Sequence, residues 1–597
     1  MKYKRRRLGI FSLIALGAAT ALLHALFGFA AEASEQLAGG GTSQGSPQPQ
    51  PAEQDLARAW LDGLIFGPSA PLLDTSEYPW LANLHVSGLL QNTTGMWADS
   101  EAITYNSSKN SLSIERNLLQ LDINYDLNQH NKFFLRFWGV YEPPYPFESG
   151  RQADAILNGP SENASGAHDF YNQYGVREFW WKNTLGPLTT FAGRQIVMWG
   201  ESVAFRVGDV INPQDLSWNF GFANLEQSRL PLWMLHPILN LPDAGPTSAN
   251  FLEAVFAPAW QPLYTNVDYP DDRNQGHYQV AGSVDILAPF GGRFDPRPYP
   301  IQFGVQALQL NLPLSAAAFP QFLNPCHHGR VPCPAADNLR WKLPADTWEN
   351  SEEGFRLHSL VGNGELAAFY WHAHQSDPML FVRGGGGRFP ALLPNFLRAE
   401  YSGYNDIGVT GNHPLYLPEV SSKLPFVLRG EAVWQDRTPF RTQDLKVPTG
   451  VIYSSTINTM VALDLDQAYV PWLSDTGALT VNLEWQNYTI LSPSKNLVYM
   501  GYVEKWRHNE ENLLINIGTS WWWGAIAPTW TSIYNPDGNT FLLFPSITLT
   551  PPWTNRYLMR LQYVGILGND KYAAFSGGIF KGKSILLTQF QYNFDLL

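Results

Sequence analysis

The chain has only two cysteines, Cys326 and Cys333, set around paired histidines in Pro325-Cys326-His327-His328-Gly329-Arg330-Val331-Pro332-Cys333-Pro334. Two thiolates and two imidazoles are a zinc-like donor set. Adjacent histidines are hard to aim at one ion, however, and the spacing is not that of a finger. A small-loop disulfide between Cys326 and Cys333 is the expectation in an exported chain. His372 and His374 would share one face of a strand, which suits a metal or simply a polar wall. Ser202 stands beside Glu201, yet no base and oxyanion site lie at a recognised catalytic spacing. Gly41-Thr42-Ser43-Gln44-Gly45 has the letters of a hydrolase elbow without the strand before it and the helix after it. There is no C-x-x-C-H, H-E-x-x-H, Walker or Rossmann pattern, and Gly384-Gly385-Gly386-Gly387 lacks the Lys-Ser/Thr of a phosphate loop. No enzyme, cofactor or metal site is therefore expected.

A different concentration of charge is more informative. Arg194, Glu201, Arg206, Asp209 and Asp215 fall close together among aromatic neighbours such as Trp199 and Phe205. Charges at membrane depth are tolerated where they face a wet lumen or pair with one another. The elements around them decide which applies.

Those elements read as strands. Leu119-Gln120-Leu121-Asp122-Ile123-Asn124-Tyr125-Asp126-Leu127 is apolar at every odd position and polar at every even one, the period of a half-buried strand. After a turn at 128–131 the chain returns through Lys132 to Trp138, making a hairpin. Comparable segments are 176–183 with 189–199, 355–361 with 365–374, 457–466 with 478–489, and 513–523, 526–534, 540–549 and 556–566. Asn535-Pro536-Asp537-Gly538 supplies a tight turn. No sequence repeat points to a solenoid or propeller.

Aromatics make up 14% of the chain, with 22 Trp, while charged residues make up only 15%. A soluble sandwich rarely exposes so many large apolar rings, whereas a membrane barrel sets them against lipid or in interfacial girdles. The last strand carries the same pattern, with Phe590, Tyr592, Phe594 and Leu596 alternating with polar residues. This is similar to the terminal signal that outer-membrane barrels present to their assembly machinery, except that it ends on Leu597 where an aromatic is usual. The expected fold is all-β: a transmembrane antiparallel β-barrel of about 16 strands, within about 14 to 20. The Pro- and Gly-rich stretches 231–270 and 377–394 are expected to be surface loops or segments folded into the lumen.

Ahead of the barrel, Lys2, Lys4, Arg5, Arg6 and Arg7 precede an apolar run to Ala31, the layout of a secretory signal peptide over 1–33. An uncleaved anchor helix is the rival reading, since about 20 apolar residues suffice to span a bilayer. Residues 34–80 read as a Gly-, Ser-, Pro- and Gln-rich linker with a short helical turn around 56–65, leaving 81–597 for the barrel. A net charge of −13 argues against nucleic acid as a partner.

Gly193-Arg194-Gln195-Ile196-Val197-Met198-Trp199-Gly200-Glu201-Ser202, followed by Asp209-Val210-Ile211-Asn212-Pro213-Gln214-Asp215-Leu216, resembles the DUF1302 family of exported, outer-membrane-barrel-type bacterial proteins. The resemblance extends to Leu366–His374 and to Leu428-Arg429-Gly430-Glu431-Ala432-Val433. It implies location and fold, and no catalytic residues. Arg194, Glu201, Arg206, Asp209, Asp215, Arg429 and Glu431 are the candidates for a lumen wall or constriction. The segment from Asp209 to Asp215 would be a turn or inward fold narrowing the pore, and an ion-pair network that merely holds it in place is the alternative.

The expected function is porin-like transport of a small solute, or of a hydrophobic, lipid-like substrate, across the outer membrane. The expected partners are the lipid bilayer, the assembly machinery and an inner-membrane transporter if energy is needed. A structural or adhesive barrel acting through its loops, and an outer-membrane hydrolase, are the alternatives.

Overall fold

The computed structural model describes residues 81–99, 112–141, 173–213, 225–260, 347–375, 379–382, 397–415, 426–442, 444, 446–468, 479–493, 508–568 and 584–596, with short pieces at 323–325, 332–334, 339–342, 344–345, 470 and 497–498. The expected signal peptide and linker, Asp215, and Cys326, and with it the expected Cys326–Cys333 disulfide, lie outside the described residues.

The chain begins its wall with β1 (Leu84–Trp97), β2 (Leu112–Asn128), β3 (Asn131–Tyr141), β4 (Gln173–Leu185), β5 (Leu188–Gln195), β6 (Leu232–Asn240) and β7 (Thr247–Ala257). Short strands β8 (Leu323–Pro325), β9 (Pro332–Pro334) and β10 (Leu339–Lys342) precede β11 (Glu352–Val361) and β12 (Gly364–His374). Then come β13 (Met379–Val382), β14 (Leu397–Glu400), β15 (Gly403–Leu415), β16 (Phe426–Thr442), β17 (Val451–Ala468) and β18 (Leu479–Ile490). The chain ends with β19 (Leu497–Val498), β20 (Asn509–Gly518), β21 (Ile526–Asn535), β22 (Thr540–Leu543), β23 (Ser546–Leu549), β24 (Tyr557–Gly568) and β25 (Ile585–Asp595).

β1 pairs antiparallel with β2 on one side and with the last strand, β25, on the other, so the sheet closes on itself. β22 and β23 are halves of one crossing broken at Phe544-Pro545, and β19 only extends an end of β16. The wall is thus a closed antiparallel barrel of 18 strands. Closure leaves no unpaired edge, the condition for spanning a bilayer with strands.

The strand count exceeds the central expectation because 231–270, read as loop, contains β6 and β7. In β6, Trp233 and Leu235 are exposed while Leu232 and Met234 are buried. Both faces are apolar, so the segment carries no alternation to read. β5 also ends at Gln195, four residues before the expected Trp199, and β20 ends at Gly518 rather than Trp523.

The period-2 pattern sorts the wall into two faces. In β2 and β3 the pairs Leu121–Phe137, Ile123–Leu135 and Tyr125–Phe133 share the outer face. Asp122 and Arg136 meet on the inner face at 2.7 Å. Around the barrel, Phe355, Leu357, Leu366, Ile407, Val409, Leu483, Ile515 and Ile517 are exposed outward, the apolar band that lipid requires.

Connection lengths are equally asymmetric. The two-residue turns 129–130, 186–187 and 362–363 lie at one end, and the long connections 142–172, 196–231 and 258–351 leave from the other. Membrane barrels of bacteria have short periplasmic turns and longer outer loops.

Candidate lumen constriction

Past Gln195 the chain leaves the wall and turns inward. The strand ladder ends there, and Asn212 takes over its hydrogen bonds. Its side chain donates to the carbonyls of Gln195 (3.2 Å) and Leu230 (2.8 Å) and accepts from the amide of Val197 (2.7 Å). Asn212 is completely buried. One side chain thereby ties the start of the segment 196–213 to its end and to the chain returning into β6.

One side of the segment is apolar. Val197, Trp199, Val207 and Ile211 pack in one cluster with Phe369 and Trp371 of β12, Val433 of β16, and Met460 and Ala462 of β17. Trp199 and Trp371, both 0% exposed, meet edge to face at 6.0 Å. These partners come from strands well around the ring from β5, so the segment lies within the lumen.

The other side is held by charge. Glu431, projecting inward from β16, accepts from the amides of Glu201, of Ser202 (2.6 Å) and of Gly208 (2.5 Å). Glu484 of β18 accepts from the Ser202 hydroxyl and from the Val203 amide (3.2 Å). Arg429 donates to the Glu201 carbonyl and pairs with Asp464 of β17 (3.0 Å). Charge-assisted bonds of this kind are roughly twice as strong as neutral ones. Gly208 sits at a close approach: a Cβ there would stand 3.0 Å from Thr410 Cγ2 and 3.1 Å from Glu431 Oε2, so these neighbours would have to give way by a few tenths of an ångström.

Within the segment, Asp209 pairs with Arg206 (3.3 Å) and with Arg229 (2.8 Å). Arg206 also donates to the carbonyls of Asp209 (2.6 Å) and Asn212. The chain returning to β6 passes a single helical turn, Leu225–Ser228, held to the wall by Arg136 on Glu226 (2.5 Å) and by Arg177 on the carbonyls of Gln227 (2.6 Å) and Arg229 (2.5 Å).

The structure thus brings together Glu201, Arg206, Asp209, Arg429 and Glu431, while Asp215 lies outside the described residues. Arg194 departs from expectation. Its register partners Phe179 and Trp233 are exposed on the outer face, and the inward face of β5 belongs to Gln195. Arg194 instead donates to the carbonyls of Val176 (3.0 Å) and Pro231 (3.3 Å) at the end of its strand. The physical reason is register: Gly193 and Gln195 pair with the buried Met234 and Leu232 and so face inward, which leaves Arg194 between them facing out. His372 shares that outer side, its ring bonded to Asn405 (2.9 Å), and no cluster of metal-binding side chains occurs among the described residues.

Asn212, Arg229, Asp464 and Glu484 were not singled out from the sequence. Glu484 had a readable signal, an acid among the alternating residues of Val481-Asn482-Leu483-Glu484-Trp485. Asn212 had none, because its role depends on three backbone groups from separate stretches.

No family model and no curated protein matches this chain. Among solved structures it is similar to Acinetobacter baumannii OccAB3, at 10% identity and TM-score 0.44, covering 86% of this chain and 100% of that one. Pseudomonas aeruginosa OpdK, solved with vanillate, matches at 9% identity and TM-score 0.41, over 87% of this chain and 99% of that one. A BenF-like porin from Pseudomonas fluorescens Pf-5 matches at 9% identity and TM-score 0.41, over 87% and 100%.

Proposed function

We propose that this chain is an outer-membrane transport barrel of the porin-like kind, whose lumen is narrowed by the segment 196–213 so that it passes a small solute selectively. The observation that carries the reading is the seating of that segment on Glu431 and Glu484 across the lumen from its own strand. A wall of 16 to 18 strands encloses an aqueous channel unless something fills it, and here a built-in segment fills part of it. The apolar cluster inside the barrel does not favour a lipid-like cargo, because Trp199, Val207 and Ile211 of the segment already cover it. The outward apolar band, the asymmetric loops and the resemblance to the DUF1302 family support the outer membrane as the location.

Single-channel recording of the refolded protein in a planar bilayer tests this. Discrete steps, small for a barrel of this circumference, are expected. A heat-modifiable barrel that gives neither conductance nor solute-driven liposome swelling would overturn the reading in favour of a structural role.

A further inference from the structure

Beside the inward segment lies a cavity of about 280 Å³. Arg206 and Asp209 line it from the segment, and Glu352, Tyr404, Asp406 and Tyr488 from the wall. Its charges are unevenly satisfied. Arg206 is occupied by Asp209 and by two carbonyls. Among the described residues, Glu352, 7% exposed, accepts only from the His374 amide (3.2 Å), and Asp406, 1% exposed, only from the Gln435 side chain (3.0 Å). Neither carboxylate has a cationic partner among the described residues. Oδ1 of Asp209, on a side chain 7% exposed, has no hydrogen-bond partner there either.

Burying a carboxylate without a counter-charge is costly, and the cost is offset when a cation and its donors arrive. A metal ion is the poorer occupant, because no three candidate ligands are gathered at metal distance among the described residues. Tyr404 and Tyr488 add aromatic side chains to the lining, and Val207, Ile211 and Val433 add apolar wall. The volume is that of a small ligand, near the lower end of ordinary pockets of about 300 Å³ and upward.

Resting on the transport reading, we propose that this cavity is a lumenal subsite for small organic cations bearing a primary ammonium on an apolar or aromatic body, with Glu352 and Asp406 as its selecting carboxylates. An ammonium would bring to these carboxylates the counter-charge and the donors they lack. An anion of the same size would meet the carboxylates unshielded.

The test uses benzylammonium, benzyl alcohol and benzoate, three probes of one shape and different charge. Their binding to the whole protein in detergent is measured by calorimetry, and their permeation by liposome swelling. Benzylammonium is expected to bind at least tenfold more tightly than either of the others. Glu352→Gln combined with Asp406→Asn should remove that preference, so that benzylammonium binds no more tightly than benzyl alcohol. Equal binding of the three probes, a preference for benzoate, or a cation preference that survives in the double variant overturns the proposal. If the double variant does not fold, the comparison on the unaltered protein still decides. A barrel that gives neither conductance nor liposome swelling but binds benzylammonium preferentially upholds the subsite and sinks the transport reading. One that conducts without cation preference does the reverse.

Discussion

The hairpin β2–β3 and the segment 196–213 satisfy their backbones in opposite ways. In the hairpin each strand pairs with its neighbour, and the turn is fastened locally, with Asn128 Oδ1 accepting from the amides of His130 and Asn131 at 2.9 Å each. The inward segment has little ladder of its own. Its amides are met by Glu431 and Glu484, carboxylates that lie 223 to 281 positions further along the chain. The hairpin is stable wherever lipid meets its outer face. The segment is stable only when the barrel has already closed around it. A wall can therefore tolerate loss of a side chain that its constriction cannot, since the constriction's backbone has no alternative partners except water.

That contrast is tested most severely by Glu431→Ala combined with Glu484→Ala. Each change strips several amides of their acceptors, and a buried donor left unmet costs about 1–3 kcal/mol. The segment should leave its seat while the wall, whose ladder does not involve these carboxylates, stays closed. Conductance should rise several-fold with heat-modifiability retained. Unchanged conductance in the folded double variant would mean that the segment does not control the lumen. Asn212→Ala should act in the same direction less strongly. It releases the Val197 amide and the carbonyls of Gln195 and Leu230, with an expected loss of about 1–3 kcal/mol, and should appear as faster cleavage within 196–213 under limited proteolysis. Cleavage as slow as in the unaltered protein would show that the apolar cluster alone holds the segment.

The same contrast explains what could be read in advance. Alternation along 119–127 revealed both faces of β2, because one face meets lipid and the other a polar interior. It failed in β6, where Leu232 and Met234 face inward onto the segment's own apolar cluster and the interior is not polar. Within the site, Arg206 and Asp209 were legible as charges close in sequence. The partnership of Glu431 with the amides of Glu201, Ser202 and Gly208 was not, because it is made by the fold of the barrel between residues 223 to 230 positions apart. Arg194 shows the limit of alternation used alone: the period assigns it to a face without naming the face, and only the burial of Gln195 and of the partners Leu232 and Met234 decides.

On the wall, Asp122→Ala should be milder than either change in the constriction. Arg136 would lose one carboxylate but keep Glu178 at 3.2 Å and Glu226 at 2.5 Å. Because Arg136 stays paired, no buried cation is left without a partner, which is the large penalty when an ion pair is broken. A small fall in the denaturation midpoint is expected without change in conductance, and a rise in conductance like that of the Glu431 and Glu484 variant would erase the distinction between wall and constriction.

The smallest effect on the lumen is expected at Arg194. Its guanidinium lies on the outer side with Phe179 and Trp233, and its bonds go to carbonyls at the strand end. Long basic side chains at such positions bury their stems against apolar surface and carry the charge toward the interface. Arg194→Gln keeps a donor for those carbonyls and removes the charge, so the ratio of cation to anion permeability should stay as it was, while Arg206→Gln, made within the lumen, should shift it. A matching shift from both variants would mean that Arg194 feels the conduction path after all, and that β5 runs with the opposite face inward; the burial of Gln195 against Leu232 would then lose its explanation.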